Sequence, residues 1–288
     1  MASRRERWSL AGLLAAFLAL YGGILLKLSQ DWLKDDNYAH GVLVVPIVGY
    51  LVWQRRDALR ELPLNPSAAG SLVVAGSLGV LLIGTAGIEL FLTRVSLIGV
   101  LAGIVIYLFG WAHLRLLAFP LAFLLLMIPL PAIVFNHVTF PLQLVASRLG
   151  VATLQALEIP VLREGNVIVL ANTTLEVAQA CSGIRSLVSL LTLALLYGCV
   201  LERGAAVRFT IALSAVPVAI LANGVRVAGA GAVAHYYGAE AATGFLHTFS
   251  GWFLFATSVV ALVVLDRLAR GVLPSGTWRP RPRWMAAS

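Results

Sequence analysis

Charged side chains are scarce in this 288-residue chain. They make up 12% of it, whereas soluble domains carry roughly 25%. Hydrophobic residues make up 60%, and the mean hydropathy is +0.91. Because a backbone inside a bilayer must satisfy its own hydrogen bonds, this composition predicts an all-α polytopic membrane protein that lies in a lipid bilayer.

Cysteine is also scarce, with only Cys181 and Cys199. They are 18 residues apart on one predicted helix, hence about 27 Å apart along its axis. A disulfide needs α-carbons within about 7 Å, so we expect Cys181 to be a free thiol and Cys199 to be small core filler. No His/Cys/Glu pair has metal-ligand spacing on one helix, and we expect neither a metal nor a cofactor.

The net charge of +8 does not indicate nucleic-acid binding. The basic residues cluster in short loops between apolar runs, as the cytoplasmic anchors of membrane proteins do. The clustered residues are Arg4, Arg5, Arg7, Arg55, Arg56, Arg60, Arg115, Arg203, Arg208, Arg267, Arg270, Arg279, Arg281 and Arg283. The positive-inside rule makes their face cytoplasmic and places both termini there.

The apolar runs predict about eight transmembrane helices, since a span needs about 20 apolar residues. They cover residues 8–28, 40–53, 68–86, 91–111, 115–131, 183–201, 207–234 and 250–268. We expect one integral membrane domain over 1–270 and a disordered basic tail over 271–288. No small-x-small cleavage site follows the first run, which therefore predicts an uncleaved helix rather than a signal peptide.

The largest segment outside the predicted spans is an insert on the outer face, over residues 132–180. Mixed polarity over residues 136–158 predicts an amphipathic helix lying at the membrane interface. β-branched runs between Gly and Asn turns then predict a small β-hairpin over residues 161–178. The hairpin leads directly to Cys181.

Three ionisable side chains fall at the same outer face, namely Cys181, Arg226 and His247. A thiolate is stabilised by a helix N-terminus and by neighbouring cations. His247 would activate the thiol and protonate a leaving amine, and Arg226 would stabilise the thiolate or an oxyanion. Arg185, one turn along the helix from Cys181, rivals Arg226 as the partner of the thiolate.

Each of these residues also has a structural interpretation. Cys181 alone is typical of core filler, and Arg226 alone could form an ion pair with Glu240 or Glu176. His247 alone is typical of an interfacial hydrogen-bonding residue. His40, in a polar cluster with Asp36 and Tyr38, is typical of an interfacial cap.

The motifs around these residues have a known counterpart. They are Ala180-Cys181-Ser182-Gly183 with Ser186, Asn223-Gly224 with Arg226, Phe245-Leu246-His247 followed by Ser250-Gly251-Trp252, Asp36-x-Tyr38-x-His40-Gly41, and Met127-Ile128-Pro129-Leu130-Pro131. Over residues 30–265 the chain resembles the exosortase/archaeosortase family, membrane-embedded cysteine transpeptidases of bacteria and archaea. His247 is similar to the bacterial branch, where archaeal relatives often carry arginine.

The resemblance implies an enzyme of the bacterial inner membrane, with its active site at the periplasmic face. Its substrates would be exported proteins that end in a sorting signal: a Pro-Glu-Pro-type motif, a transmembrane helix and a basic cluster. Cys181 would form a thioester, which a lipid or glycan acceptor, or water, would resolve. The family is associated with exopolysaccharide and biofilm production.

The resemblance also implies roles for further residues. Ser182, Gly183, Arg185, Ser186 and Asn223 would support the catalytic group. A glutamate of the sorting motif could pair with Arg148, Arg163 or Arg226, and His40 is a further candidate for substrate contact.

Two other functional classes stay open. A transport or polysaccharide-export component would use Arg226 as an ion site and would tolerate Cys181→Ser. A non-catalytic scaffold would recruit tail-anchored proteins without needing Cys181 or His247. No inverted repeat with paired broken helices supports the transporter.

Overall fold

The computed structural model describes residues 4–177, 183–200, 205–242 and 245–272. It is mostly helical and divides into two compact units, Met1–Pro131 and Ala132–Ser288. Several described helices are long and apolar enough to cross a membrane. The predicted class of helical polytopic membrane protein is therefore confirmed.

Five described helical segments reach the length and hydropathy of a span. They are Ala11–Lys34, Ala69–Ala86, Leu90–Phe109, Phe209–Tyr237 and Gly251–Leu268. A sixth is reached if Trp111–Met127 and Ala132–Ala156 count as one span, and two more apolar helices, Gly41–Gln54 and Ile184–Gly198, are shorter. The count of eight stays a prediction.

The first unit contains six helices and a short 3₁₀ turn in its described residues. They are α1 (Arg4–Lys34), α2 (Gly41–Gln54), α3 (Arg56–Glu61), α4 (Ala69–Ala86), α5 (Leu90–Phe109), α6 (Trp111–Phe123) and the 3₁₀ turn Leu124–Met127. The predicted span 115–131 therefore changes backbone conformation partway, after Phe123.

Polar side chains join α1 to α5 within the first unit. Arg94 of α5 is 2% exposed and forms a salt bridge with Asp31 of α1, which also pairs with Lys27 at 3.1 Å. The Tyr21 hydroxyl lies 3.1 Å from Ser96 Oγ. Because a charge among apolar helices is costly without a partner, these pairs fix how α1 packs on α5.

The described part of the second unit contains five helices and three strands. They are α7 (Ala132–Ala156), β1 (Val161–Glu164), β2 (Val167–Leu170), β3 (Thr174–Glu176), α8 (Ile184–Val200), α9 (Ala205–Tyr237), α10 (Ala239–Ala242) and α11 (Phe245–Val272). Helices α8, α9 and α11 share an apolar core that includes Leu190, Ala215 and Leu262. Residues 273–288, most of the predicted tail, lie outside the described residues.

The three strands form an antiparallel sheet in the order β1-β2-β3. The sequence predicts a hairpin here, and the sheet has a third strand at Thr174–Glu176. Ile168 and Leu170 of β2 are buried in a core that also contains Leu154 of α7 and Ala234 of α9. The sheet is thereby fixed on α7 and α9, upstream of the segment that contains Cys181.

Helix α7 covers most of the segment predicted as an interfacial helix. In its N-terminal half the exposed side chains are largely apolar, including Ile133 (74%) and Phe140 (56%), while Thr139 and Gln143 are buried. Its C-terminal half exposes Arg148 and buries apolar residues. Asn136 and His137 are exposed in the N-terminal half, so polar side chains lie on both its buried and its exposed sides.

Candidate active site

The structure describes some of the predicted catalytic residues fully and others in part. Cys181 and Ser182 lie outside the described residues, as do the last three residues of the predicted insert, 178–180. His247 lies in the first turn of α11, where the structure describes the backbone alone. Arg226 and the supporting residues Gly183, Arg185, Ser186 and Asn223 are described, so the site is built from them.

Gly183 begins α8 in a conformation that favours glycine. Its φ is +80°, and its carbonyl accepts the first helical hydrogen bond, from the Leu187 N–H at 2.8 Å. The first amides of a helix have no partner inside the helix, so those at the start of α8 are available to a ligand or a side chain. Cys181 precedes Gly183 by two residues, hence lies within about 7 Å of it along the chain.

The α-carbon of Gly183 lies directly against the side chain of Asn223 in α9. A Cβ at Gly183 would come within 2.8 Å of Asn223 Cγ and 3.0 Å of its Nδ2. Asn223 is 6% exposed, so its amide is enclosed next to the start of α8. The absence of a side chain at Gly183 permits this close approach.

Arg226 follows Asn223 by three residues and therefore lies on the same side of α9. Its guanidinium group passes Gly251 of α11. A Cβ at Gly251 would lie 3.5 Å from Nη2 and 3.6 Å from Cζ of Arg226. Position 247 is one turn before Gly251, so the backbone position of His247 lies on the α11 face that meets Arg226.

These contacts connect the start of α8, one side of α9 and α11 within the second unit. The positions that connect them are Gly183, Asn223, Arg226 and Gly251. The start of α8 touches Asn223, and the guanidinium group of Arg226 touches α11 one turn from position 247. A narrow cleft opens beside Gly183 and Asn223, between α7, α8 and α9. It is lined by Leu142, Ala146, Gly183, Leu187, Ala219, Ile220 and Asn223.

The other predicted residues of the second unit lie in different surroundings. Arg185 and Ser186 are half-buried in the first turn of α8. Arg148 of α7 is exposed, and Arg163 of β1 donates from Nη1 to the Gly165 carbonyl at 2.7 Å. Arg148 is therefore accessible to a ligand, whereas Arg163 is already engaged in its own turn.

His40 lies in the first unit and is occupied by a backbone contact. Its Nε2 donates to the Leu126 carbonyl at 2.9 Å, and Trp32 Nε1 donates to the Met127 carbonyl at 2.8 Å. The Tyr38 hydroxyl oxygen accepts from the Leu130 N–H, and burial together with the charge of Asp35 raises the pKa of Tyr38. None of these contacts was predicted from the sequence.

Pro131 explains why the Met127 carbonyl needs a side-chain donor. In a continuous helix the Met127 carbonyl would accept from residue 131, but Pro131 has no N–H, and Pro129 likewise cannot donate to Leu125. Trp32 supplies the missing donor at Met127. The Asp36-x-Tyr38-x-His40 motif therefore holds the segment that leads out of the 3₁₀ turn.

Thr139 and Gln143 are further polar residues that were not predicted from the sequence. Both are buried on α7, at 1% and 7% exposure. Their spacing of four residues, continued by Ser147, is the signal that a helical-face analysis would have detected. Across the described ranges of the chain, no three His, Cys, Asp or Glu side chains are grouped as a metal site would require.

Comparison with known proteins identifies the family of this chain. No curated protein and no solved structure matches the chain. The family model described as transmembrane exosortase matches residues 32–264, which is most of the chain and includes every residue of the candidate site. The chain therefore belongs to the transmembrane exosortase family.

Proposed function

We propose that this protein is a cysteine transpeptidase that cleaves exported proteins at a C-terminal sorting signal. Membership of the exosortase family supports a membrane transpeptidase in broad terms. The observation that carries the proposal is the placement of Asn223 and Arg226 on one side of α9, against Gly183 and Gly251. Gly183 follows the proposed nucleophile Cys181 by two residues, and Gly251 follows His247 by four residues.

In the proposed reaction Cys181 is the nucleophile. Its thiolate attacks the carbonyl carbon of the scissile peptide bond and forms a tetrahedral oxyanion. The C–N bond then breaks, His247 protonates the leaving amine, and the acyl part stays on Cys181 as a thioester. An acceptor hydroxyl or amine, or water, attacks the thioester and gives its proton to His247, and the C–S bond breaks to release the Cys181 thiolate.

Arg226 supplies the positive charge in this scheme. Its guanidinium group is always protonated and stabilises the thiolate before attack or the oxyanion after it. Gly183 starts α8, and the amides of that first turn add a partial positive charge at the same place. The pairing of Arg226 with Glu240 or Glu176 stays an alternative for its resting state.

The substrate expected from the family resemblance is a membrane-anchored protein with a Pro-Glu-Pro-type motif, a transmembrane helix and a basic cluster. Exposed Arg148 is the best placed arginine to receive the motif's glutamate, since Arg163 already donates to Gly165. We expect the reaction at the periplasmic face of the inner membrane, with a lipid or glycan as the acceptor. A link to exopolysaccharide production belongs to the same proposal.

The test is processing of a tagged substrate in cells. The substrate carries the motif, helix and basic cluster and is co-expressed with wild type, Cys181→Ala, Arg226→Ala, His247→Ala or the matched control Cys199→Ala. We expect processing to be lost in the first three variants and kept in Cys199→Ala. A hydroxylamine-sensitive adduct is expected only where Cys181 remains and the acceptor is limiting.

Two outcomes would replace this proposal. Normal processing by Cys181→Ala and His247→Ala would indicate a scaffold that recruits the substrate for another enzyme. Full function of Cys181→Ser, with no adduct but with loss in Arg226→Ala, would indicate the transport or polysaccharide-export role. Unchanged processing after separate substitution of Arg148, Arg163 and Arg226 would remove the proposed glutamate contact.

A further inference from the structure

A stripe of polar side chains runs along the buried face of α7. Thr139, Gln143 and Ser147 follow one another at four-residue intervals and are 1%, 7% and 0% exposed. The exposed side chains at this level include apolar Ile133, Val138 and Phe140 together with polar Asn136 and His137. A helix in an apolar environment that turns polar groups inward is typical of one that lines a polar path.

The polar side chains of the stripe differ in whether they have a hydrogen-bond partner. The Ser147 hydroxyl lies 3.0 Å from the carbonyl oxygens of Leu144 and Gly165. The Thr139 hydroxyl is buried, and among the residues that the structure describes it has no hydrogen-bond partner. Because a buried hydroxyl without a partner is unfavourable, Thr139 fits a position where a ligand supplies the partner.

The stripe leads into the cleft of the candidate site. Thr139 and Ala146 are seven residues apart, so they lie on one face about 10 Å apart along α7. Ala146 and Leu142 line the cleft, and the cleft ends at Gly183 and Asn223. Thr139 and Gln143 therefore lie next to the cleft on the same face of α7, and the cleft reaches the start of α8, where Cys181 precedes Gly183.

The proposed reaction determines which part of the substrate a site on α7 would bind. A peptide carbonyl inside a helix is hydrogen-bonded and shielded, so the substrate must unwind beside the scissile bond before a thiolate can reach it. Unwound backbone in apolar surroundings needs hydrogen-bond partners from the enzyme. Uncharged hydroxyl and amide groups provide these without the cost of a buried charge.

We propose that Thr139 and Gln143 of α7, together with the cleft, bind the unwound main chain of the substrate next to the scissile bond. This inference rests on the proposed function and deepens it, because it assigns the peptide backbone to a site on α7. Ala146, Gly183 and Ala219 give the cleft small walls. A substrate side chain that enters this narrow cleft is therefore expected to be small and uncharged.

The first test removes the polar groups while keeping shape. Thr139→Val and Gln143→Leu are compared with Thr153→Val, a matched control whose exposed hydroxyl bonds to the Leu149 carbonyl of its own helix. We expect the processing rate of the tagged substrate to fall about fivefold to tenfold per stripe variant, since each loses one hydrogen bond to the substrate. Thr153→Val should process normally, and equal rates in all three variants would overturn the proposal.

The second test measures binding without catalysis. In a Cys181→Ala, Cys199→Ala background, Thr139→Cys is paired with single cysteines scanned through the substrate beside the scissile bond, under oxidising conditions. Disulfides at every second substrate residue indicate an extended chain, whereas a repeat near 3.6 indicates a helix. Thr153→Cys is the control and should form none.

The two tests separate this inference from the proposed function. Alternating disulfides from Thr139→Cys support the binding site even if Cys181→Ala still processes the substrate. A helical repeat, or the same disulfides from Thr153→Cys, overturns it. If Cys181 is essential but the stripe variants process normally and form no disulfides, the cysteine mechanism stands and the α7 site falls.

Discussion

Gly183 shows how a single residue sets the geometry beside the proposed nucleophile. It combines a positive φ with an α-carbon pressed against the Asn223 side chain. The positive φ alone, or the close approach to Asn223 alone, would disfavour any residue other than glycine at position 183. Only the approach to Asn223 belongs to the candidate site. The two effects can be separated because Gly165 also has a positive φ, +65°, but has open space where a Cβ would lie.

We expect Gly183→Ala to abolish most substrate processing and Gly165→Ala to preserve it. Both substitutions place alanine in the left-handed region, which costs about 1–2 kcal/mol. Only Gly183→Ala also forces Asn223 to move, at a further cost of about 1–3 kcal/mol. Processing in cells and thermal unfolding in detergent measure the two effects, and equal loss of processing in both variants would contradict this account.

Gly251 gives a graded test of the contact with Arg226. A Cβ there would meet the guanidinium group at 3.5 Å, an ordinary van der Waals distance. Gly251→Ala should therefore keep processing within about twofold while improving helix propensity by roughly 1 kcal/mol. Gly251→Leu should displace the guanidinium group and stop processing, and an active leucine variant would argue against a catalytic Arg226.

At the scale of elements, much of the helical layout follows from the sequence. The apolar run 207–234 predicts a span, and α9 runs from Ala205 to Tyr237. The order of the spans also predicts that Arg226 and His247 lie on one face of the membrane. Which residues touch does not, because contacts such as Arg226 with Gly251 depend on how each helix is rotated about its axis.

Helix α7 shows the same limit more clearly. Its periodicity predicts a helix, but periodicity alone does not say whether the polar face meets water or the protein interior. The environment decides, and Thr139 and Gln143 are inside. The first-unit contacts of His40 with Leu126 and Trp32 with Met127 were equally beyond the sequence, since they need the tertiary arrangement around Pro129 and Pro131.

The hydrogen bond between Tyr197 of α8 and Asp266 of α11 joins two elements that carry the proposed site. The hydroxyl donates to Oδ2 at 2.8 Å, and Asp266 is 2% exposed. Tyr197→Phe removes this donor from a buried carboxylate and should lower the free energy of unfolding by about 1–3 kcal/mol. Thermal unfolding in detergent tests this against Tyr237→Phe, whose ring is 78% exposed and which should be neutral.

The salt bridge between Arg94 and Asp31 is the corresponding link in the first unit. Asp31→Leu alone should destabilise the protein by about 3–5 kcal/mol, because it leaves the Arg94 charge buried without its counterion. Replacing both residues, as Asp31→Leu with Arg94→Met, should recover much of that loss. A double-mutant cycle of unfolding temperatures measures the coupling, and additive losses would show that the pair is not coupled.

At the scale of the whole molecule, the distribution of arginines predicts orientation. Basic loops before and after the apolar runs predict cytoplasmic termini, and the sheet around Asn172 then lies on the periplasmic side together with the start of α8. Reporter insertions test this directly. Alkaline phosphatase, which folds only outside the cytoplasm, should be active after Asn172 and inactive after Arg60 or at the C-terminus. A fluorescent protein that folds only inside should give the opposite pattern. Activity of the phosphatase at the C-terminus and after Arg60, but not after Asn172, would mean an inverted protein and would place the proposed nucleophile on the wrong side for an exported substrate.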